Sequence, residues 1–186
     1  MLRGELAGLR ARTADDAEIL HAELYEDVDE WVRGSVRPWV PLPPGPGSPY
    51  AASDTEPGEA GLASAASADA AEFSVVELAT GDLAGAAVLW GLDPHNRVAH
   101  IGIELRPAFR GRGLGADAVR VICRYGFALR GLHRLQLETL ADNQAMIAVA
   151  EKLGFTREGT MRGSSWVNGG FTDDVVFGLL AEDPGR

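Results

Sequence analysis

Residues 100–115, His-Ile-Gly-Ile-Glu-Leu-Arg-Pro-Ala-Phe-Arg-Gly-Arg-Gly-Leu-Gly, constrain what this chain can fold into more than any other stretch. Ile101, Ile103 and Leu105 alternate with His100, Gly102 and Glu104, the period-two pattern of a strand. Pro107 has no amide hydrogen to give a sheet and holds Arg106 extended, so regular pairing ends there. Beyond the glycines, Leu114, Ala118, Val121, Ile122, Tyr125 and Leu129 recur at helical spacing. A glycine-rich turn between a strand and a helix start presents backbone N–H groups and the positive end of a helix dipole. That is an anion site, best suited to a phosphate or pyrophosphate.

Two familiar phosphate loops do not fit. A dinucleotide loop needs Gly-x-Gly-x-x-Gly at the front of a βαβ unit and an acidic strand end after it, and none follows at that distance. A P-loop needs Gly-Lys-Ser or Gly-Lys-Thr, and the only lysine, Lys152, is far away. Arg110-x-x-Gly113-x-Gly115 remains. A formal charge of -10 argues against nucleic acid or an anionic membrane as the partner, since phosphate contacts need an excess of Lys and Arg. No stretch approaches the ~20 apolar residues of a membrane span, and the N-terminus has no secretory apolar region. Cys123 stands alone, so no intramolecular disulfide forms; a cytoplasmic location and a buried, unreactive thiol are the expectations. The near-replacement of Lys by Arg, with abundant Ala and Gly, points to a high-GC bacterial genome.

With 186 residues, 46% of them hydrophobic, the chain supports one domain over 1–186. Residues 6–13 predict a first strand, and Thr13-x-x-Asp16 has the spacing of a capping box ahead of a helix with Ala17, Leu20, His21 and Leu24. A short helix over 27–33 follows, ending near Gly34. Glu23, Glu26, Asp27, Asp29 and Glu30 fall across these helices, as either a solvated face or a cation-attracting rim. Residues 38–71 are rich in Pro, Gly and Ala and have little to bury, so they predict a flexible insertion or a lid, with a short helix within 54–71. Trp31 and Trp39 at its start either line a pocket or anchor the core. Residues 73–79 and 83–90 read as a hairpin about Thr80-Gly81-Asp82. The Leu114 helix ends near Gly131; a strand over 134–140 lies beside the His100 strand. A helix begins at Asp142 or Asn143 and stops at Gly154, and strands 155–161 and 172–180 meet at Asn168-Gly169. The fold class is α/β: a mixed, largely antiparallel central sheet flanked by helices.

Arg110-x-x-Gly113-x-Gly115 resembles motif A of the GNAT superfamily of N-acetyltransferases, and the order of elements resembles that superfamily's acyl-CoA N-acyltransferase fold. Further stretches resemble its RimJ/RimL-type branch: Leu9-Arg10-Ala11-Arg12-Thr13 with Asp16-Ala17, Asn143 followed by Lys152-Leu153-Gly154-Phe155, and Gly159, Arg162, Asn168-Gly169 and Asp174. The resemblance implies acetyl-CoA as co-substrate and no metal. Its pyrophosphate would face the amides of Arg110, Gly111, Arg112, Gly113, Leu114 and Gly115, where glycines leave room for close approach. Arg110 and Arg112 either add charge or point to solvent. The backbone of Ile103 and Leu105 would bond the pantetheine arm in a slot made where two strands splay. Asn143 either reaches the cofactor or caps its helix.

Acetylation requires an amine freed of its proton. Glu104, on the strand face opposite Ile103 and Leu105, is the candidate base, or else a structural carboxylate paired to an arginine. His100 shares that face but lies about 13 Å along the strand, beyond direct contact. Glu26, Trp31 and His100 are the candidate acceptor-side residues. Many relatives place a Ser or Tyr near the leaving thiolate; Met146 and Ala150 stand there in this chain, and neither donates a proton. Two functions follow. One is an acetyl-CoA-dependent N-acetyltransferase acting on a primary amine, a protein N-terminus or a small cationic amine, with a homodimer left open. The other is a CoA-binding module of this fold that has lost catalysis and serves as a sensor or interaction subunit.

Overall fold

A computed structural model describes residues 1–35, 37–51 and 69–183. Eight strands form one sheet: β1 (Leu2–Arg3), β2 (Ala7–Arg10), β3 (Ala70–Glu77), β4 (Leu83–Asp93), β5 (Val98–Leu105), β6 (Arg134–Leu140), β7 (Thr156–Val167) and β8 (Gly170–Leu180). Their spatial order is β1-β2-β3-β4-β5-β6-β8-β7, and every pair is antiparallel except β5 with β6. That one parallel pair needs a crossover, supplied by α3 (Leu114–Arg124), which continues as a π turn to Leu129 and stops before Gly131 at φ 65°. Before β3 come α1 (Ala14–Leu20), extended by a π turn over His21–Tyr25, and α2 (Val28–Gly34). Between β6 and β7 lies α4 (Gln144–Lys152). Among the described residues no helix is long and apolar enough to cross a membrane.

The alternation seen in the sequence sorts the two faces of the sheet. Ala87 lies opposite Ile103, and their side chains join the larger core with Leu114, Ala118, Ile122, Leu135 and Phe177 under α3. Ala86 lies opposite Glu104 on the other face, where a second apolar cluster gathers Leu20, Leu24, Tyr25, Trp31, Tyr50 and Leu83. Cys123 is buried, and burial pushes its thiol up to about 12, so it stays protonated.

Local chemistry ties these layers together. Thr13 and Asp16 make the reciprocal cap of α1. Asp16 also receives Arg10 and, at 2.9 Å, the Ser74 hydroxyl from β3. Burial opposes its ionisation, but Arg10, Thr13 and Ser74 outweigh it and hold the carboxyl at about 2. Asp117 on α3 accepts both the Leu6 and Ala7 amides at 2.8 Å, fixing the entry to β2.

Several boundaries differ from the sequence expectation. β1 was not foreseen, β3 begins at Ala70 rather than 73, and β7 runs on to Val167. Within the insertion, Ser48 and Tyr50 are only 7% and 5% exposed, so these two side chains are tucked into the fold while Gly45, Pro46 and Gly47 beside them are exposed. The helix expected within 54–71 lies outside the described residues except at 69–71, where Ala70 opens β3.

Candidate active site

β5 and β6 pair at only three positions, Val98, Ala99 and His100 with Arg134, Leu135 and Gln136. Beyond them β5 stays with β4 as far as Leu105, while β6 stays with β8 as far as Leu140. The strands therefore part, and a slot of about 150 Å³ opens between them, lined by Ile101, Gly102, Ile103, Leu137 and Thr139, with Asn143 and Met146 of the α4 start. On the face carrying Glu104 lies a larger cavity of about 400 Å³. Its floor is a column of β5 residues, Glu104, Gly102 and His100, beside Ala86, Val88 and Trp90 of β4. Gly102 keeps that floor low: a Cβ there would stand 2.9 Å from Val88. The two spaces share Gly34, Ser35, Ile101, Gly102, Ile103 and Glu138, so they meet at the free edge of β5.

The glycine turn adjoins this edge. Gly111 and Gly113 take φ of 71° and 82°, which L side chains rarely adopt, and Gly113 is the residue from which α3 starts. Among the described residues the amides of Gly111, Arg112, Gly113, Leu114 and Gly115 find no protein acceptor. They are the orphan donors that an anion would satisfy, and the residues present fit a pyrophosphate. Arg110 and Arg112 are both engaged. Arg110 Nε donates to the Leu105 carbonyl at 2.9 Å while its Nη2 pairs with Glu30 at 2.9 Å, and Arg112 pairs with Glu77 over the Phe109 ring. Asn143 caps α4 by accepting the Met146 amide at 3.2 Å, and its amide nitrogen donates to Thr139 Oγ1 at 3.0 Å. It performs the capping role and still borders the slot.

Glu104 receives a hydrogen bond on Oε2 from the Tyr50 hydroxyl, a partner with no signal in the sequence. Burial pushes the Glu104 pKa up; the Tyr50 bond, Arg12 and Arg110 act against the rise and Glu30 adds to it. A carboxylate raised in this way is a better proton acceptor near neutral pH. Arg12 lies 5.7 Å over the Tyr50 ring and pairs with Glu72 at 3.1 Å, while its buried Nε has no partner among the described residues. His100 stacks on Trp90 at 4.2 Å, and its Nδ1 is 3.6 Å from Glu138, too long for a hydrogen bond. Trp31 is both core and wall: 6% exposed, it packs on Tyr25 and Tyr50 and lines the larger cavity. Glu26 lines neither space, and its carboxylate lies 3.9 Å from His21 Nε2. Of the acidic run, Glu30 comes nearest, through Arg110, while Glu23 is paired with Arg106.

Residues 7–156 match the family model described as the acetyltransferase (GNAT) domain. The chain is 35% identical over 103 residues to a putative ribosomal N-acetyltransferase of Bacillus subtilis, covering 55% of this chain and 56% of that protein. To the spermidine N(1)-acetyltransferase of Escherichia coli it is 29% identical over 107 residues, 58% of each chain. These alignments span about half the length of the curated relatives. Among solved structures, a probable acetyltransferase superposes with a TM-score of 0.75 at 25% identity, over 96% of this chain and 95% of that one. The spermidine N-acetyltransferase of Vibrio cholerae, solved with CoA and spermine, gives 0.76 at 20% identity over 96% and 97%, a likeness of fold.

Proposed function

The chain belongs to the GNAT acetyltransferase family, and from that premise we propose that it moves an acetyl group from acetyl-CoA to a primary amine in a ternary complex. The observation that carries this reading is the meeting of slot and cavity at the open edge of β5, beside Glu104. Acetyl-CoA supplies the activated acyl group; Ile103 borders the slot for its arm, Leu105 ends β5 between that slot and the glycine turn, and residues 110–115 would hold its pyrophosphate. An ammonium group entering the larger cavity gives one proton to Glu104, directly or through water; the neutral nitrogen then bonds the acyl carbon as the C–S bond breaks, and its second proton leaves to water or to the departing sulfur. Met146 and Ala150 offer no proton at the leaving group, so the thiolate departs as an anion or takes a proton from water. The chemistry of a CoA thiol permits either.

A peptide N-terminus is the acceptor class ranked first. The cavity holds Glu72, Glu104 and Glu138, but Arg12 and Arg37 line it too. A polyamine brings several cations against those guanidinium groups, whereas a peptide N-terminus brings one cation followed by carbonyl oxygens. A small cationic amine is the second reading, favoured by Glu138 beside the exposed face of the Trp90–His100 stack. CoA release measured with a free-N-terminal peptide, spermidine and an acidic amino acid, at two ionic strengths, tests the assignment. Amine-dependent release is expected, strongest for the peptide, weakest for the acidic amino acid and reduced by salt for the cationic acceptors. Tight acetyl-CoA binding without amine-dependent release would instead mark a module that has lost catalysis.

A further inference from the structure

Tyr50 reaches Glu104 across 54 residues of sequence, from the Pro/Gly-rich segment that precedes β3. It is held there from several sides. Its amide donates to Ser48 Oγ at 3.1 Å, and that oxygen lies 2.8 Å from Nδ1 of the buried His21. The Ser48 amide bonds the Gly45 carbonyl and the Ala51 amide bonds the Ser48 carbonyl, so residues 45–51 fold back in tight turns. The ring stands edge-on to Trp31 at 6.2 Å, with Arg12 on its face. The phenol itself stays protonated, since burial and the neighbouring Glu104 both push its pKa up. It is therefore a permanent donor over the working pH range.

The two oxygens of Glu104 are thereby made unequal. Oε2 is occupied by Tyr50, whereas Oε1 faces Gly34, where even a Cβ would stand 3.3 Å away. Gly34 lines both the slot and the larger cavity. We propose that Tyr50 is a positioning residue for proton transfer: its hydroxyl fixes Glu104 Oε2 and leaves Oε1 as the oxygen presented to the acceptor amine. This rests on Glu104 acting as the base. A donor to the ionised carboxylate also favours that form, joining Arg12 and Arg110 against burial and Glu30, the groups that face it from the neighbouring elements. Loss of the hydroxyl leaves Glu104 harder to ionise and free to turn.

The pH dependence of kcat/KM in Tyr50→Phe, made in the full chain, separates positioning from simple packing. The ring and its contacts remain, so a packing role predicts a wild-type profile. The proposal predicts that the acid limb moves to higher pH, that turnover near neutrality falls about tenfold, and that activity recovers above the shifted limb. The KM for acetyl-CoA stays unchanged, and Tyr50→Phe adds nothing in a Glu104→Gln background. An unmoved limb, or a further loss in the double variant, overturns the role given to Tyr50. Full turnover in Glu104→Gln alone refutes the base assignment instead, a distinct outcome. Should Tyr50→Phe fail to fold, Ser48→Ala, which removes the acceptor of the Tyr50 amide together with the partner of His21 Nδ1, is predicted to move the same limb by a smaller step; an unmoved limb there also overturns the proposal.

Discussion

Glu104 shows how a single side chain reconciles stability with the proposed chemistry. Its folded-state pKa lies above the ordinary value of 4.5, chiefly through burial, so the folded protein binds that proton more tightly than the unfolded chain does. The sign follows directly: this group favours the fold most at pH below its unfolded value and withdraws that favour as pH rises through its folded value. Glu104→Gln keeps the shape and never ionises. The variant is accordingly expected to be at least as stable as the parent at neutral pH, with the difference shrinking toward pH 4, in urea unfolding followed across pH. A markedly less stable variant at neutral pH would contradict the burial cost assigned to this carboxylate. Glu104 was legible in the sequence because strand alternation put it opposite Ile103 and Leu105, just before the glycine turn. Tyr50 was not, since an aromatic in a Pro/Gly-rich stretch has no periodicity to reveal which distant strand it meets. Glu26 misled for the opposite reason: its charge was visible, but the π turn over His21–Tyr25 carries it beside His21 instead of into the cavity.

At the scale of elements, the glycine turn and α3 make the anion site, and they allow a cleaner test than the most conspicuous glycine does. Gly113 has positive φ and a Cβ there would stand 3.2 Å from Leu6, so any side chain strains the backbone whether or not a phosphate binds. Gly115 lies in the first turn of α3, and a Cβ there makes ordinary contact with Leu105 at 3.4 Å. An acid at that position suits the helix dipole but competes for the amides a pyrophosphate needs. Gly115→Asp is predicted to retain the parent's thermal stability while acetyl-CoA affinity falls at least tenfold by calorimetry; unchanged affinity would remove the anion site from this turn. Elements with one clear apolar face were the readable ones: α3, β5, β6 and the capped start of α1. β1 has two residues, too few for any period. β7, at the edge of the sheet, is exposed along nearly its whole length, so no alternation marks where it ends. The start of β3 is Ala-rich, and alanine declares no face.

Over the whole molecule, the sheet divides the labour. α3 and its glycine turn pack on the face of Ile103, α1, α2 and residues 45–51 cover the face of Glu104, and the parting of β5 from β6 joins the two sides. The acidic run of α1 and α2 does not supply free acids to the cavity through Glu23 and Glu30, which pair with Arg106 and Arg110. Attraction for a cationic acceptor then comes from the net field of the -10 charge together with the cavity-lining Glu72, Glu104 and Glu138, and salt is expected to weaken it. Proton removal at the point where slot and cavity meet is the step on which the proposed function depends. Turnover of Glu104→Gln at saturating acetyl-CoA and acceptor tests it most directly. The predicted result is a kcat lowered about 10²–10⁴-fold at neutral pH, a smaller loss at high pH where free amine is abundant, and an unchanged Kd for acetyl-CoA. Near-parental turnover at neutral pH would contradict the account and assign the proton to another group.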